Sequence, residues 1–284
     1  MNLTSPTQVR GLLAELGIRP SRTLGQNFLV DANVLRILVE AARLTRDDRV
    51  LEVGPGLGVL TEALLARAGG VVAVEKDHRL AAHLADRFAS DAALTIVTGD
   101  MLKQRFDVLG EGRLQKVVSN LPYRPGTRIL VDLVQSPTPP GLIVVTVQRE
   151  VADRLVATVG GEAYGLLGVW IGRLYDSELI KVVRPTCFWP PPAVTSAIMR
   201  LERHTRLTLP AAQEHCFYAL TRHAFTQRRK QLASVLRKAP AGLQMADTDC
   251  RAWLTAQGLP AEARPQELSP EAWCRLSAEI GSAN

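Results

Sequence analysis

The chain has 284 residues, with 34 Lys and Arg against 28 Asp and Glu, a formal net charge of +6, and 46% apolar residues. This length and composition allow a buried hydrophobic core without disulfides or structural metal, and they exclude the disordered, collagen-like and mini-protein classes. The longest strongly apolar run, 142–147, is far shorter than the roughly 18 residues of a membrane-spanning helix, so we expect no membrane segment.

The first predicted element is an N-terminal helix. We expect Ser5 at its N-cap, Pro6 as its first residue, Gln8 as the capping-box partner of Ser5, and Gly17 directly after its end. This pattern favours a folded helical extension over a secretory signal.

From about residue 47 the chain alternates strand-like and helix-like stretches, which predicts a parallel sheet with helices on its faces. A hairpin around Asp176 and Ser177 is expected within 169–183, so that an antiparallel pair closes one sheet edge. Apolar periods predict connecting helices near 60–65, 80–88 and 129–134. The predicted strands are 50–53, 71–75, 94–97, 116–119 and 142–147.

Residues 207–284 have helical periods, which predict a small all-helical domain. The expected fold class is therefore α/β, with a first domain over 1–203 that includes the N-terminal helical extension. The cysteines lack the spacing of a zinc site or redox pair, so we expect reduced thiols, a cytoplasmic protein and no metal site. These cysteines are Cys187, Cys216, Cys250 and Cys274.

The positive charge is concentrated in one segment. Residues 200–240 hold nine Lys and Arg against two Asp and Glu, a net charge of +7. A local basic field indicates a polyanionic partner, with nucleic acid favoured, although a solvated helix face is the alternative interpretation. We predict nucleic-acid contacts at Arg222, Arg228, Arg229 and Lys230.

A glycine-rich turn follows the first predicted strand, with Gly54, Gly56 and Gly58 at alternate positions. Such a turn lets a ligand approach the backbone closely. The dinucleotide fingerprint requires a glycine where Val59 stands, so NAD is the second choice of cofactor. With Glu52 two residues before Gly54, the turn resembles the first motif of S-adenosylmethionine-dependent methyltransferases. A purely structural turn is the alternative, but we predict that Glu52, Gly54 and Gly56 bind the cofactor.

Two further strands end in candidate cofactor ligands. Glu75 lies 21 residues after Gly54, a position that suits a carboxylate accepting both hydroxyls of an adenosine ribose. After the third strand, Asp100 is placed to accept a hydrogen bond from the adenine amino group, and Met101 to flank the ring. A helix N-cap is the alternative role for Asp100.

The tetrapeptide Asn120-Leu121-Pro122-Tyr123 directly follows the fourth strand and distinguishes between the candidate chemistries. The exocyclic amine of adenine is a poor nucleophile because its lone pair is delocalised into the ring. The Asn120 side-chain oxygen and the Leu121 carbonyl can accept its two N–H groups, while Pro122 stiffens the turn. Tyr123 would stack on a base that has left its own stack. A structural turn with a packed Tyr is the alternative.

Together these motifs resemble those of the ribosomal RNA adenine N6,N6-dimethyltransferase family, most closely its bacterial small-subunit (16S) branch. The resemblance runs in family order from about residue 20 to 280. Besides the motifs above, it rests on Leu24-Gly25-Gln26-Asn27-Phe28-Leu29, on Phe188-Trp189-Pro190-Pro191-Pro192-Ala193-Val194-Thr195-Ser196-Ala197, and on Phe225-Thr226-Gln227-Arg228-Arg229-Lys230.

The resemblance implies a Rossmann-like class I methyltransferase sheet that binds S-adenosyl-L-methionine. It also implies that Phe188 faces Tyr123 across the flipped adenine, with a core aromatic as the alternative for Phe188. The implied cofactor site comprises Asn27, Leu29, Gly54, Glu75, Asp100 and Asn120, with Gln26 and Met101 close by.

One segment departs from the family pattern. After Tyr123 the family usually continues Asn-Ile-Ser-Thr-Pro or similar, whereas this chain has Arg124-Pro125-Gly126-Thr127-Arg128. The departure leaves Asn120 to Tyr123 intact, but the resemblance implies nothing about the path of this loop or its RNA contacts.

The function implied by the resemblance is methyl transfer from S-adenosylmethionine to N6 of two adjacent adenosines in a hairpin near the 3′ end of small-subunit ribosomal RNA. The expected partner is the pre-30S subunit, and the expected state is a monomer. Three alternatives stay open: a large-subunit RNA methyltransferase of the antibiotic-resistance type, a DNA adenine methyltransferase, and a non-catalytic ribosome-assembly or transcription factor of the same fold.

Overall fold

Apolar, β-branched runs form a seven-stranded sheet in the computed structural model, which describes residues 2–21 and 25–282. Leu24, from the N-terminal signature, lies outside the described residues. The strands are β1 (Phe28–Leu29), β2 (Arg49–Val53), β3 (Gly70–Glu75), β4 (Leu94–Thr98), β5 (Lys116–Asn120), β6 (Leu142–Gln148), β7 (Tyr175–Val183), β8 (Phe188–Trp189) and β9 (Ser196–Arg203).

Seven of these strands form the main sheet, in the order β4-β3-β2-β5-β6-β9-β7, and β1 and β8 form a separate two-stranded sheet. The first five of these strands are parallel, and β9 joins β6 antiparallel. All five predicted strands are therefore confirmed. The chain reverses its direction of progress across the sheet between β2 and β5, which makes the carboxyl ends of these two strands the expected ligand-binding edge.

Helices connect the strands and form the C-terminal part of the chain. They are α1 (Pro6–Glu15), α2 (Ala32–Ala41), α3 (Val59–Leu65), α4 (His78–Arg87), α5 (Tyr123–Val134), α6 (Arg149–Leu155), α7 (Leu166–Gly172), α8 (Ala211–Phe225), α9 (Leu232–Leu236), α10 (Asp247–Ala256) and α11 (Pro270–Ser282). No helix among the described residues has both the length and the apolar character needed to cross a bilayer.

Two local predictions are corrected. The N-terminal helix is present, but its capping box is not, because Ser5 makes no side-chain cap bond and the Gln8 Oε1 accepts the Asn2 N–H at 2.6 Å. The hairpin predicted within 169–183 is instead the end of helix α7 followed by the single strand β7. A short apolar run does not distinguish a buried helix from a strand by its period, and here the helix forms.

The chain divides into two units, residues 1–152 with 177–203, and residues 153–176 with 204–284. The predicted ranges of 1–203 and 207–284 therefore misplace 153–176, which belong with the C-terminal residues. The error follows from the α7 prediction, since a strand there would have joined the sheet.

The second unit is built around buried apolar helix faces. Trp273 of α11 and Phe217 of α8 are fully buried. Arg173, 1% exposed, bonds to Tyr218 Oη at 2.8 Å and pairs with Glu214, so α7 is tied to α8 by a buried cation. A buried guanidinium is tolerated only with such partners.

Candidate active site

The glycines of the turn after β2 have two different roles. All three glycines have positive φ, with Gly54 at 68°, Gly56 at 61° and Gly58 at 83°. A Cβ on Gly58 would lie 2.7 Å from Leu84 Cδ2, so this glycine is required for packing of α3 against α4. A Cβ on Gly54 would meet only Pro122 Cδ, at 3.8 Å, so Gly54 leaves its space open to the adjoining cavity.

Two buried carboxyl groups lie beneath this turn. The Gly56 N–H donates to Glu75 Oε2 at 3.0 Å, and the Asp77 N–H donates to Glu75 Oε1 at 2.8 Å. Burial raises the pKa of Glu75. Glu52 is 2% exposed and accepts a hydrogen bond from Thr61 Oγ1 at 2.7 Å, and burial raises its pKa to about 8.

Asp100 caps a short helical turn, the alternative role considered for it, and its role as an adenine ligand stays a prediction. Its Oδ1 accepts the Leu102 N–H at 3.1 Å, which caps a short 3-10 turn at 101–103, and it also lines the cavity. Its Oδ2 accepts a hydrogen bond from Lys76 Nζ at 2.8 Å, and that bond lowers the pKa of Asp100. Met101 is 7% exposed and lines the same cavity.

The N-terminal signature forms one wall of the cavity. Its strand β1 pairs antiparallel with β8, with Phe28 opposite Trp189 and Leu29 opposite Phe188. Gln26 accepts the Ser21 N–H through its side-chain oxygen at 2.8 Å. The two signatures that lie far apart in sequence therefore form one two-stranded ribbon.

Asn120 lies at the carboxyl end of β5, and its side chain is only half satisfied. The Nδ2 group donates to the Asn27 carbonyl at 3.0 Å. The Oδ1 atom is buried and has no hydrogen-bond partner among the described residues. A buried acceptor without a donor is unfavourable, and Asn120 lines the cavity, so this oxygen is a candidate partner for a ligand N–H group.

The two aromatic rings are arranged differently from the prediction. Phe188 is 2% exposed and does not line the cavity, and its ring meets Tyr123 edge to face with centroids 6.5 Å apart and planes at 78°. No base fits between the rings as they stand, so the facing pair is not observed and Phe188 supports Tyr123 from the core. The Tyr123 hydroxyl bonds to Ser196 Oγ, and burial raises its pKa.

These residues enclose a cavity of about 400 Å³ at the carboxyl ends of β2, β3 and β5. Every predicted cofactor residue lines it, as do Leu121, Pro122 and Tyr123. The sequence interpretation missed Leu3 and Val9 of the N-terminal segment, which also line the cavity, and the Lys76 partner of Asp100. The position of Lys76 directly after Glu75 was the available signal.

The side chains predicted to contact RNA lie in the second unit, and they differ in the interactions that they already make within the protein. Arg228 is tied to its own unit, because Nε donates to Gln266 Oε1 at 3.0 Å and an Nη donates to the Glu162 carbonyl at 3.1 Å. The Arg222 guanidinium lies 5.4 Å from the Trp170 ring centre. Arg229 and Lys230 are exposed.

Comparisons with known proteins agree with this geometry. Residues 19–280 match the family model described as ribosomal RNA adenine dimethylase. Proteins named ribosomal RNA small subunit methyltransferase A are 40% identical in Moorella thermoacetica, covering 83% of this chain and 85% of that protein, and 40% identical in Nocardia farcinica, covering 98% and 95%.

Two solved structures share the fold. The 23S rRNA methyltransferase ErmE has a TM-score of 0.68 at 29% identity, covering 89% of this chain and 99% of that chain. A dimethyladenosine transferase from Plasmodium falciparum has a TM-score of 0.74 at 23% identity, covering 89% and 97%. The predicted Rossmann-like class I methyltransferase sheet with a C-terminal helical region is confirmed. This chain belongs to the ribosomal RNA adenine dimethylase family.

Proposed function

We propose that the protein transfers methyl groups from S-adenosylmethionine to N6 of adenines in small-subunit (16S) ribosomal RNA. The observation that carries the proposal is the buried, unpartnered Asn120 Oδ1 in a cavity that also contains the Gly54 turn and Glu75. Family membership and relatives named as small-subunit methyltransferases support the same substrate.

The residues of the cavity fit S-adenosylmethionine. Glu75 uses two of the roughly four acceptor positions of a carboxylate for backbone N–H groups, which leaves capacity for ribose hydroxyls. The open side of Gly54 permits close approach to the backbone, Asp100 would accept from the adenine amino group, and Met101 would pack on the ring. When bound, the cofactor supplies an electrophilic methyl group on a sulfonium centre.

The chain's own part in the reaction is orientation of the amine. Asn120 Oδ1 and the Leu121 carbonyl would accept the two N–H groups of the adenine N6, which holds its lone pair toward the methyl group. The Asn120–Asn27 hydrogen bond fixes the orientation of the Asn120 amide. Such fixed acceptors need no reorganisation during reaction, which is the main source of catalysis here.

Finer features follow from the family resemblance. The target is two adjacent adenosines in a hairpin near the 3′ end, each methylated twice during assembly of the pre-30S subunit. The enzyme would act as a monomer in the cytoplasm, where ribosomal subunits are assembled. Exposed cations of the second unit, including Arg229 and Lys230, would hold the RNA backbone.

The decisive experiment is nucleoside mass spectrometry after incubation with S-adenosylmethionine and unmethylated small subunits, large subunits or duplex DNA in parallel. We expect N6,N6-dimethyladenosine in small-subunit RNA only. Methylation confined to large-subunit RNA or DNA would replace the proposed substrate. Cofactor binding without any methylated adenosine would instead support a non-catalytic assembly factor.

A further inference from the structure

Arg124 directly follows the Asn120–Tyr123 motif, and it lines the cavity. Its side chain is exposed to solvent, so it lies at the rim of the cavity. Its backbone belongs to helix α5, and Gly25 packs closely against it, since a Cβ on Gly25 would lie 3.2 Å from the Tyr123 nitrogen and 3.6 Å from the Arg124 nitrogen.

The two cations at the rim differ in whether an acidic side chain already neutralises their charge. Among the described residues that line the cavity, Lys76 and Arg124 are the only cations. Lys76 bonds to Asp100 at 2.8 Å, whereas no described residue bonds to or pairs with the Arg124 side chain. One turn further along α5, Arg128 is paired with Asp132 at 2.7 Å. Arg124 is thus an unneutralised guanidinium beside the adenine site.

Substrate geometry indicates which anion this guanidinium would meet. An adenine whose N6 reaches Asn120 leaves its ribose and flanking phosphates outside the cavity, at the rim. Arginine binds phosphate through two parallel N–H groups, which fixes orientation as well as position. Binding energy from such a remote part of the substrate can hold the reacting atom in its productive geometry.

We propose that Arg124 binds a backbone phosphate next to the target adenosine and so positions its base for methyl transfer. This inference rests on the proposed function and assigns a substrate contact to a residue outside the Asn120–Tyr123 motif. The other anion within reach of the site is the carboxylate of the cofactor, and the experiment separates the two.

The test compares Arg124→Ala and Arg124→Lys with the matched control Arg128→Ala, whose charge is already paired. Unmethylated small subunits are reconstituted from RNA with a synthetic 3′ segment, either unmodified or carrying a neutral methylphosphonate beside the target adenosine. Initial rates of methyl transfer give kcat/KM, and calorimetry gives the affinity for S-adenosylmethionine.

We expect Arg124→Ala to lower kcat/KM by about 10- to 100-fold, the range for a lost charged hydrogen bond, with partial recovery in Arg124→Lys. Arg128→Ala should behave as wild type, and cofactor affinity should be unchanged in all variants. The methylphosphonate should slow the wild type by a similar factor but slow Arg124→Ala no further, because the same contact is already lost.

Three results would overturn the inference. If the loss of kcat/KM in Arg124→Ala and the loss caused by the methylphosphonate multiplied when combined, the guanidinium and the phosphate would belong to different contacts. A weaker affinity for S-adenosylmethionine in Arg124→Ala would assign the guanidinium to the cofactor carboxylate, and equal rates in Arg124→Ala and Arg128→Ala would make it a solvated charge. Failure of the wild type to methylate unmodified subunits would instead refute the proposed function itself.

Discussion

At the scale of single residues, the two ends of the Asn120 side chain have different roles. The Nδ2 group is used within the protein, on the Asn27 carbonyl, while Oδ1 is buried without a donor. We predict that Asn120→Ala lowers the single-turnover rate by roughly 100- to 1,000-fold, as for loss of one preorganised catalytic hydrogen bond. RNA affinity and its salt dependence should stay unchanged, since no charge is removed.

The neighbouring strand offers a control for this variant. Thr146 pairs in register with Asn120, and its Oγ1 is also buried without a partner, but it does not line the cavity. Thr146→Val should therefore leave turnover unchanged. If both variants lost turnover equally, packing of β5 against β6, and not orientation of the amine, would explain the effect.

The raised pKa of Glu52 predicts how the free energy of unfolding depends on pH. Burial raises its pKa to about 8 in the folded protein, from an ordinary value of 4.5. Between these values the folded state holds a proton that the unfolded state has released, so this contribution to stability is present at low pH and is lost as pH rises toward 8. The free energy of unfolding should fall by up to about 1.4 kcal/mol per pH unit from this group.

Glu52→Gln isolates this effect because the amide keeps the size and can still accept a hydrogen bond from Thr61. Urea unfolding without cofactor at pH 5.5 and 7.5 should show the difference in stability moving in favour of Glu52→Gln at the higher pH. Parallel curves for wild type and variant would mean that Glu52 titrates near its ordinary pKa.

At the scale of elements, substitutions in the glycine turn are expected to impair two different properties, stability and cofactor binding. Gly58→Ala should lower the free energy of unfolding by more than 2 kcal/mol, on the order of a core overpacking defect, because its Cβ meets Leu84 at 2.7 Å and Phe88 at 2.9 Å. Gly54→Ala has space, so only its positive φ is strained, at roughly 1 kcal/mol. That methyl group should instead weaken S-adenosylmethionine binding.

Urea unfolding without ligand and calorimetry with S-adenosylmethionine measure the two effects separately. The opposite ranking, with Gly54→Ala less stable and Gly58→Ala weaker in cofactor binding, would reverse the assignment. Gly56→Ala should show both defects, since a Cβ there lies 3.0 Å from the Phe28 ring at the cavity wall.

The same elements show how far the sequence determines the fold and the candidate site. The parallel strands were predicted because their apolar runs are bounded by turn signals and alternate with helical periods. The cofactor residues follow from those strands, because the carboxyl ends of parallel strands meet at one edge. The helix α7 was mistaken for a strand because seven residues are too few to reveal a period.

The features of the site that the sequence does not predict are contacts between segments distant in sequence. That Phe188 meets Tyr123 edge to face depends on the pairing of β1 with β8, which no local pattern encodes. Likewise, the hydrogen bond between Arg228 and Gln266 spans 38 residues, and charge counting treats Arg228 and Arg229 alike. Burial and partner choice at such positions are decided by tertiary packing.

At the scale of the whole molecule, the cavity and the four predicted RNA contacts lie in different units. The cavity lies within the first unit, while the exposed basic residues Arg229, Lys230, Arg237 and Lys238 belong to the second. Variants in the second unit are therefore expected to change RNA affinity while leaving cofactor binding intact. Arg228 is the exception among the predicted contacts, because its guanidinium is occupied by Gln266 and Glu162.

The double change Arg229→Ala with Lys230→Ala should weaken RNA binding and make the log–log salt slope shallower by roughly 1.4, taking about 0.7 per phosphate on single-stranded RNA. Its unfolding curve should match wild type, since both side chains are exposed. Arg228→Ala should do the reverse and lower stability by about 0.5 to 1.5 kcal/mol, because it removes the hydrogen bonds to the Glu162 carbonyl and to Gln266. Filter binding across a salt series and urea unfolding on the same preparations measure both quantities. A wild-type slope in the double variant would make Arg229 and Lys230 a solvated helix end and move RNA docking to other cations.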